Sequence, residues 1–353
     1  MPVLAGTRDH SAHTRLDWAR PASSESYTVN FYDGLAVHRL LVGDEVRTRA
    51  FYDSIRATVQ SGAVVMDVGT GSGILSLFAA QAGASRVYAI ERAQGAAALA
   101  RRLVATNGLS GVVSVIEADA ETVVLPEQVD VIVSEWMGPY GVDENMLAPV
   151  LVARDRWLKP GGSLIPSAVA AWLAPVWHEA GKDALAFRTR PYGLDLSAMA
   201  PFSHDQAVWL PNGVDVDDLR AEPQRLWLTD CATMPAAEAR TPYAAELRFR
   251  LERDGVNGVV TWFSSEMPGA AELCNGPGQP ATHWGQFLFP LANSNQLAAG
   301  EELKIGFHNV PAGRFGSHHI WSSQLDGQPL EVHDTRRYSR ANREPPWRVF
   351  QSS

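Results

Sequence analysis

Apolar residues recur through the first half of the chain in short blocks separated by helix-like stretches. Val64–Val68 is a compact apolar run that predicts a buried strand, and Arg86–Ile90, Val113–Ala118 and Val129–Ser134 repeat it. Between them, Ile74–Ala82 and the Ala- and Leu-rich Gly95–Thr106 read as helices. Met146, Leu147, Val150, Leu151 and Leu158 place the apolar positions of Met146–Leu158 on one helical face. Regular alternation of strand and helix implies a parallel, doubly wound sheet. Lys159-Pro160-Gly161-Gly162 is expected to end that pattern.

The second half changes period. Leu247, Phe249 and Leu251 alternate with Arg248, Arg250 and Glu252, and Leu303, Ile305 and Phe307 repeat the alternation. Asp254-Gly255 and Asn257-Gly258 are turn signals before the apolar run Val259–Phe263, so a hairpin is expected there. The expected organisation is an N-terminal segment or lid over 1–30 and a Rossmann-like α/β domain over 31–166. An antiparallel β-barrel-like domain follows over 167–353, with an inserted arm at about 178–206 that fits neither pattern.

Composition narrows the class. The chain has 353 residues, 46% hydrophobic and 20% charged, enough for a sizeable core. Its net charge of −9 argues against nonspecific nucleic-acid binding, which needs a basic surface, and suits cationic substrates. Two cysteines, Cys231 and Cys274, make no disulfide framework and read as reduced thiols of a cytoplasmic protein. Met1 to Asp17 has no apolar signal region, and no run approaches a membrane span. Arginine is abundant while lysine occurs only at positions 159, 182 and 304, as in a GC-rich, bacterial genome. The ten histidines show no metal-ligand spacing.

Candidate chemistry begins at Asp67-Val68-Gly69-Thr70-Gly71-Ser72-Gly73, which follows the first strand and opens a helix. Glycines there let a ligand approach a helix N-terminus. A dinucleotide fingerprint is Gly-x-Gly-x-x-Gly. Here the glycines run Gly-x-Gly-x-Gly behind an aspartate, which suits S-adenosylmethionine and disfavours a nicotinamide cofactor. Asp67 is placed to meet the cofactor's ammonium. Glu91 ends the second strand, where a carboxylate accepts ribose hydroxyls. Asp119, Ala120 and Glu121 follow the third strand and offer an acceptor to adenine.

Ser134-Glu135-Trp136-Met137-Gly138 follows the fourth strand, and Glu144 comes nine residues after Glu135. Two carboxylates on one loop clamp a planar guanidinium. By spacing alone, Glu144 reads more often as a residue facing solvent at the start of a helix.

The segment Ser134–Leu147, SEWMGPYGVDENML, resembles the double-glutamate loop of the protein arginine methyltransferases, with both glutamates in register. Asp67–Gly73 resembles that family's cofactor loop, Asp44-Glu45-Val46-Arg47-Thr48 the helix before it, and Thr282-His283-Trp284 its threonine-histidine-tryptophan loop. The similarity runs from about Tyr27 to the chain end. It implies that Arg47 binds the cofactor carboxylate with His38 beside it, that Glu91 holds the ribose and Glu121 the adenine, and that His283 pairs with Asp44. Glu135, Glu144, His283 and Asp44 are then the catalytic set, and Tyr32, Leu41, Trp136, Met137 and Trp284 the substrate-side residues. Tyr192-Gly193-Leu194-Asp195 resembles the family's dimerisation arm and implies a homodimer.

Two positions depart from the family. Its N-terminal Tyr-Phe-x-x-Tyr motif is Thr28-Val29-Asn30-Phe31-Tyr32 here, keeping only Tyr32, and a methionine lining its active site is Leu41. Both changes touch the lid over the substrate. They favour free L-arginine, monomethylated as in nitrosourea-type natural product biosynthesis, over arginyl side chains of proteins, which remain the alternative. A dimeric cofactor-binding module without catalysis is the rival from another class, opposed by the presence of both glutamates, Arg47 and His283.

Overall fold

The computed structural model describes residues 34–186, 191–292, 296–313, 316–325 and 327–337. The N-terminal segment, with Tyr32, lies outside the described residues. Two helices, α1 (Leu35–Gly43) and α2 (Glu45–Thr58), lead into five parallel strands: β1 (Val64–Val68), β2 (Arg86–Glu91), β3 (Val113–Glu117), β4 (Val129–Val133) and β5 (Leu158–Ile165). Helices α3 (Ile74–Gln81), α4 (Gln94–Thr106) and α5 (Leu147–Trp157) connect them. The sheet order is β3-β2-β1-β4-β5. The chain starts at the centre, winds outward to β3, then crosses back to β4. That reversal leaves a crevice at the carboxyl ends of β1 and β4, where ligands bind in such sheets. β1 is buried at every position, as a strand covered on both faces must be.

Lys159–Gly162 does not end the strand pattern. These residues lie within β5, at the sheet edge, where the pairing to β4 shifts register between Val129 and Val131. An edge strand tolerates a proline because one side of its ladder is unpaired.

From Ala168 the chain is antiparallel. Strands β6 (Ala168–Val176), β7 (Val208–Leu210), β8 (Gln224–Asp230), β10 (Gly258–Glu266), β11 (Leu273–Cys274) and β12 (Gln286–Pro290) form one sheet. Strands β9 (Tyr243–Arg250), β13 (Glu302–Pro311), β14 (Ser317–Leu325) and β15 (Glu331–Asp334) form the other. Together they make the barrel-like half.

The expected hairpin between 247–251 and 259–263 is not formed. β9 pairs with β13, while β10 is central in the six-stranded sheet between β6 and β12. Asn257 is not a turn residue. Its buried side chain accepts from the His178 N–H at 3.0 Å and donates to the His178 carbonyl at 2.8 Å. The apolar content decided the outcome: β10 is buried on both faces at all but its last position, whereas β9 alternates and needs only one covered face.

One hydrophobic core runs through both halves, from Phe51 and Val133 to Phe263, Phe307 and Trp321. The segment after β6 holds α6 (Glu179–Ala186), two short 3₁₀ turns and α7 (Ala200–Ser203), and it exposes Tyr192, Leu194, Met199 and Phe202. Among the described residues, no helix is long and apolar enough to cross a membrane.

Candidate active site

A cavity opens at the carboxyl edge of the parallel sheet. It is lined by the loops after β1 (Gly69 to Ser72), β2 (Glu91 to Ala93), β3 (Ala118 to Ala120) and β4 (Ser134 to Trp136), with α1 and α5 closing its sides. His38, Leu41, Arg47, Gly69, Gly71, Glu91, Ala120, Glu135, Trp136 and Glu144 all face it. Residues far apart in sequence meet here because every β-strand of a parallel sheet delivers its following loop to the same edge.

The glycine loop is fastened by Glu91. One carboxylate oxygen accepts the Gly71 N–H at 2.9 Å and the other the Ala93 N–H at 2.8 Å. Gly71 has φ +54°, and a Cβ there would lie 3.1 Å from the His38 ring, so buried His38 packs directly on bare backbone.

Arg47 and Glu135 form the principal ion pair. Glu135 Oε2 accepts from Nε at 3.2 Å and Nη2 at 3.0 Å, and Oε1 accepts the Met137 N–H at 3.1 Å. Their side chains are only 5% and 11% exposed. Glu135 therefore already receives a guanidinium in side-on geometry. Arg47 is aimed by its helix: Asp44 caps α2, its side chain accepting the Arg47 N–H at 3.0 Å.

Asp44 also accepts the His283 N–H and faces His283 Nδ1, both at 2.8 Å. Burial opposes ionisation of Asp44, but the His283 side chain and the two backbone N–H groups outweigh it and hold the carboxyl below its ordinary range. The resemblance pairs Asp44 with His283, and the structure brings the two together. Both line a groove with Arg39, Leu40 and Thr282, and Trp284, next to His283, donates to the carbonyl of Met137, two residues past Glu135. The pair fastens the α1–α2 corner to the barrel half.

Several candidates sit beside the cavity and not in it. Asp67 is fully buried beneath the loop, where Thr70 and Ser76 hydroxyls donate to it at 2.6 and 2.7 Å. Burial pushes its carboxyl up to about 6 against those two bonds. Gly73 packs on Ala100 of α4. Glu121 turns outward to Arg240 at 2.6 Å. Asp119, its neighbour two residues earlier, lines the cavity instead. Met137 and Trp284 are core residues joined by a bond from Trp284 Nε1 to the Met137 carbonyl at 2.7 Å. The cavity also takes Met146, the N-cap of α5, and Pro149 and Val150 from that helix.

Residues 65–162 match a family model described as a methyltransferase domain, and residues 169–320 match the arginine methyltransferase oligomerization subdomain. The chain is 35% identical over 282 residues to protein arginine N-methyltransferase 6 of Xenopus laevis, covering 77% of this chain and 83% of that protein. It is 38% identical over 319 residues to a probable protein arginine N-methyltransferase 3 of Arabidopsis thaliana, and spans about half, 52%, of that relative's length. Among solved structures, the Trypanosoma brucei PRMT1 enzyme-prozyme heterotetrameric complex with AdoHcy superposes with a TM-score of 0.78 at 25% identity, covering 86% of this chain and 99% of that one. The Arabidopsis thaliana protein arginine methyltransferase 10 structure gives 0.71 at 30% identity, covering 87% and 99%.

Proposed function

The chain belongs to the protein arginine N-methyltransferase family, and we propose that it transfers methyl groups from S-adenosylmethionine to guanidino nitrogens of arginyl side chains in proteins. The observation that carries this reading is the shared cavity of Glu135 and Glu144, in which Glu135 already accepts a guanidinium. The relatives, each named as acting on protein arginine, favour this substrate over the free L-arginine expected from the altered lid.

The cavity suits the cofactor chemically. It combines a bare glycine loop, the carboxylates of Glu91 and Asp119, the Arg47 cation and the apolar side chains of Ile74, Leu75 and Ile90. S-adenosylmethionine supplies an electrophilic methyl group on a sulfonium. Arg47 would hold its carboxylate, with His38 alongside, and Glu91 the ribose hydroxyls. Ala120 and Asp119, which line the same cavity, would receive the adenine.

Glu135 and Glu144 bind the guanidinium through charge-assisted hydrogen bonds. They offset its repulsion from a second cation and draw positive charge toward the bound nitrogens. The remaining nitrogen keeps more lone-pair density, and its alignment contributes up to about 7–11 kcal/mol in well-ordered cases. Glu144 takes the proton released from the methylated nitrogen. Asp44 and His283 act at one remove, by fixing the turn that carries Arg47. The exposed apolar side chains of the 191–202 arm and the oligomerization-subdomain match support assembly into a homodimer.

The test incubates the protein with labelled S-adenosylmethionine and either an arginine-glycine-rich peptide or free L-arginine, with mass analysis of products. A higher kcat/KM on the peptide is expected. A higher value on free arginine would move the assignment to the small substrate, and no methylarginine from either would overturn it.

A further inference from the structure

We propose that Asp143 is a positioning residue for methyl transfer: its buried carboxyl braces the turn between Glu135 and Glu144 and so sets how the two glutamates face one guanidinium. The inference rests on the guanidinium-binding role given above to those two residues.

The chain between the glutamates folds back on itself. Gly138 and Gly141 exchange backbone hydrogen bonds in both directions, each 2.9 Å, which makes a closed neck. The Asp143 carboxyl sits in that neck. Its Oδ1 accepts the Tyr140 N–H at 3.1 Å. A Cβ placed on Gly138 would lie 2.6 Å from both carboxyl oxygens, so the carboxyl occupies the space a side chain at 138 would need. Asp143 belongs to the 3₁₀ turn Val142–Glu144, and Gly138 lies three residues past Glu135. The carboxyl thus joins the end of the loop near Glu135 to the end that presents Glu144.

The far side of the turn is fixed independently. Asn145 takes a left-handed conformation at φ 57°, and its Nδ2 donates to the Gly313 carbonyl at 2.8 Å. The Glu144 carbonyl accepts the Gly316 N–H at 2.9 Å. With its flanks held, the Asp143 carboxyl is a further, side-chain support of the Glu144 side of the loop.

An apolar side chain would fill the neck without the cost of burying an acid. Asp143 is 6% exposed, and burial pushes its carboxyl up to about 7, outweighing the backbone hydrogen bonds that lower it. The brace therefore changes charge near neutral pH. On its own loop are the carboxylates of Glu135 and Glu144 and the Tyr140 phenol, which burial and Asp143 keep neutral. Among the described residues, β14 brings His319, whose ring meets the Tyr140 ring edge-on at 5.8 Å and whose imidazole burial lowers to about 4. From β13, which packs on the turn, comes Asn309, whose Oδ1 accepts the Tyr140 hydroxyl at 2.7 Å. Gly313 and Gly316 meet the loop through backbone, and residues 314–315 between them lie outside the described residues.

The experiment compares full-length wild type, Asp143→Ala and Asp143→Asn. It measures kcat and KM on an arginyl peptide from pH 6 to 9 and S-adenosylmethionine affinity by calorimetry. Asp143→Ala is expected to lower kcat at least tenfold while cofactor Kd stays within twofold. Asp143→Asn keeps the shape and one acceptor oxygen but stays neutral like the protonated acid, so its kcat should match wild type near pH 6 and lie between those of Asp143→Ala and wild type at pH 8. It should also lack the rise in kcat through about pH 7 that wild type shows as the brace ionises. Wild-type kcat in Asp143→Ala, or an unchanged pH midpoint in Asp143→Asn, overturns the role of Asp143 alone. No methylation by wild type with cofactor binding intact overturns the functional reading and this role with it.

Discussion

Asp67→Asn isolates the electrostatic cost of the cofactor loop's foundation. In the folded protein the Asp67 carboxyl is raised from 3.8 to about 6 by burial, and one of its oxygens finds no partner among the described residues. Between pH 3.8 and about 6 the unfolded chain has released this proton and the folded protein has kept it. The stability this group contributes is therefore complete below the unfolded value and lost as pH rises through the folded one. A shift of roughly two units at about 1.36 kcal/mol each gives a loss of about 3 kcal/mol across the whole window. From pH 4.5 to 7 the share is about 2 kcal/mol. Asparagine keeps the shape and an acceptor for Thr70 and Ser76 but has no proton to lose. Any fixed cost of its amide is the same at every pH and cancels. Urea unfolding of both proteins from pH 4.5 to 7.5 reads the difference directly. The wild type should fall relative to the variant by about 2 kcal/mol and then run parallel above pH 7. A difference independent of pH would mean that Asp67 is ionised throughout, and the burial reasoning would be refuted.

Glu91→Ala strips the acceptor from the Gly71 and Ala93 N–H groups and from the proposed ribose site. Calorimetry should show cofactor affinity reduced about ten- to a hundredfold, for roughly 1.5–3 kcal/mol; an unchanged Kd would place the cofactor elsewhere. Glu144→Gln should lower kcat roughly a hundredfold to a thousandfold with cofactor Kd intact, as measured by peptide turnover beside calorimetry. Glu135→Gln should do the same and also change cofactor Kd, because it releases Arg47 from its partner; identical behaviour of the two variants would contradict the Arg47–Glu135 coupling. Gly71→Ala meets the His38 ring at 3.1 Å in a left-handed conformation, so thermal unfolding should report a loss of about 1–2 kcal/mol, and wild-type stability would show that the loop relaxes freely.

Local chemistry made much of this protein readable from its sequence. The βα alternation, the Gly-x-Gly-x-Gly loop behind a strand and Glu91 at the next strand end all depend on neighbours within a few residues, whereas the pairing of Glu144 with Glu135 was legible only through the family resemblance. Chain order then brings those loops to one sheet edge, so the cavity lining could be anticipated from motif positions. Asp44 with His283 was legible only through family resemblance, since the two residues are 239 apart in sequence. The direction in which each side chain points was not legible. Asp67 faces Thr70 and Ser76 below the loop, Glu121 faces Arg240, and Met137 and Trp284 face the core. In each case a partner from a distant segment, or burial itself, outweighed the local motif.

The same division holds for the antiparallel half. Alternation in 247–251 correctly marked a strand, and the apolar run 259–263 marked another, because side-chain period is a property of the strand alone. Which strands pair is decided by the faces left to cover. β10 is buried on both sides and takes the middle of its sheet, while β9, with one polar face, joins β13. Asn257-Gly258 has the composition of a turn, yet His178 claims the asparagine amide at 2.8 Å and the chain continues into β10. The sequence by itself determined the element types and the glycine loop with Glu91 at the next strand end, and the family resemblance singled out Glu135 and Glu144. Only the tertiary structure decided strand partners, side-chain facing and the burial of Asp67 and Asp143, because each depends on desolvation and hydrogen-bond partners supplied by residues distant along the chain.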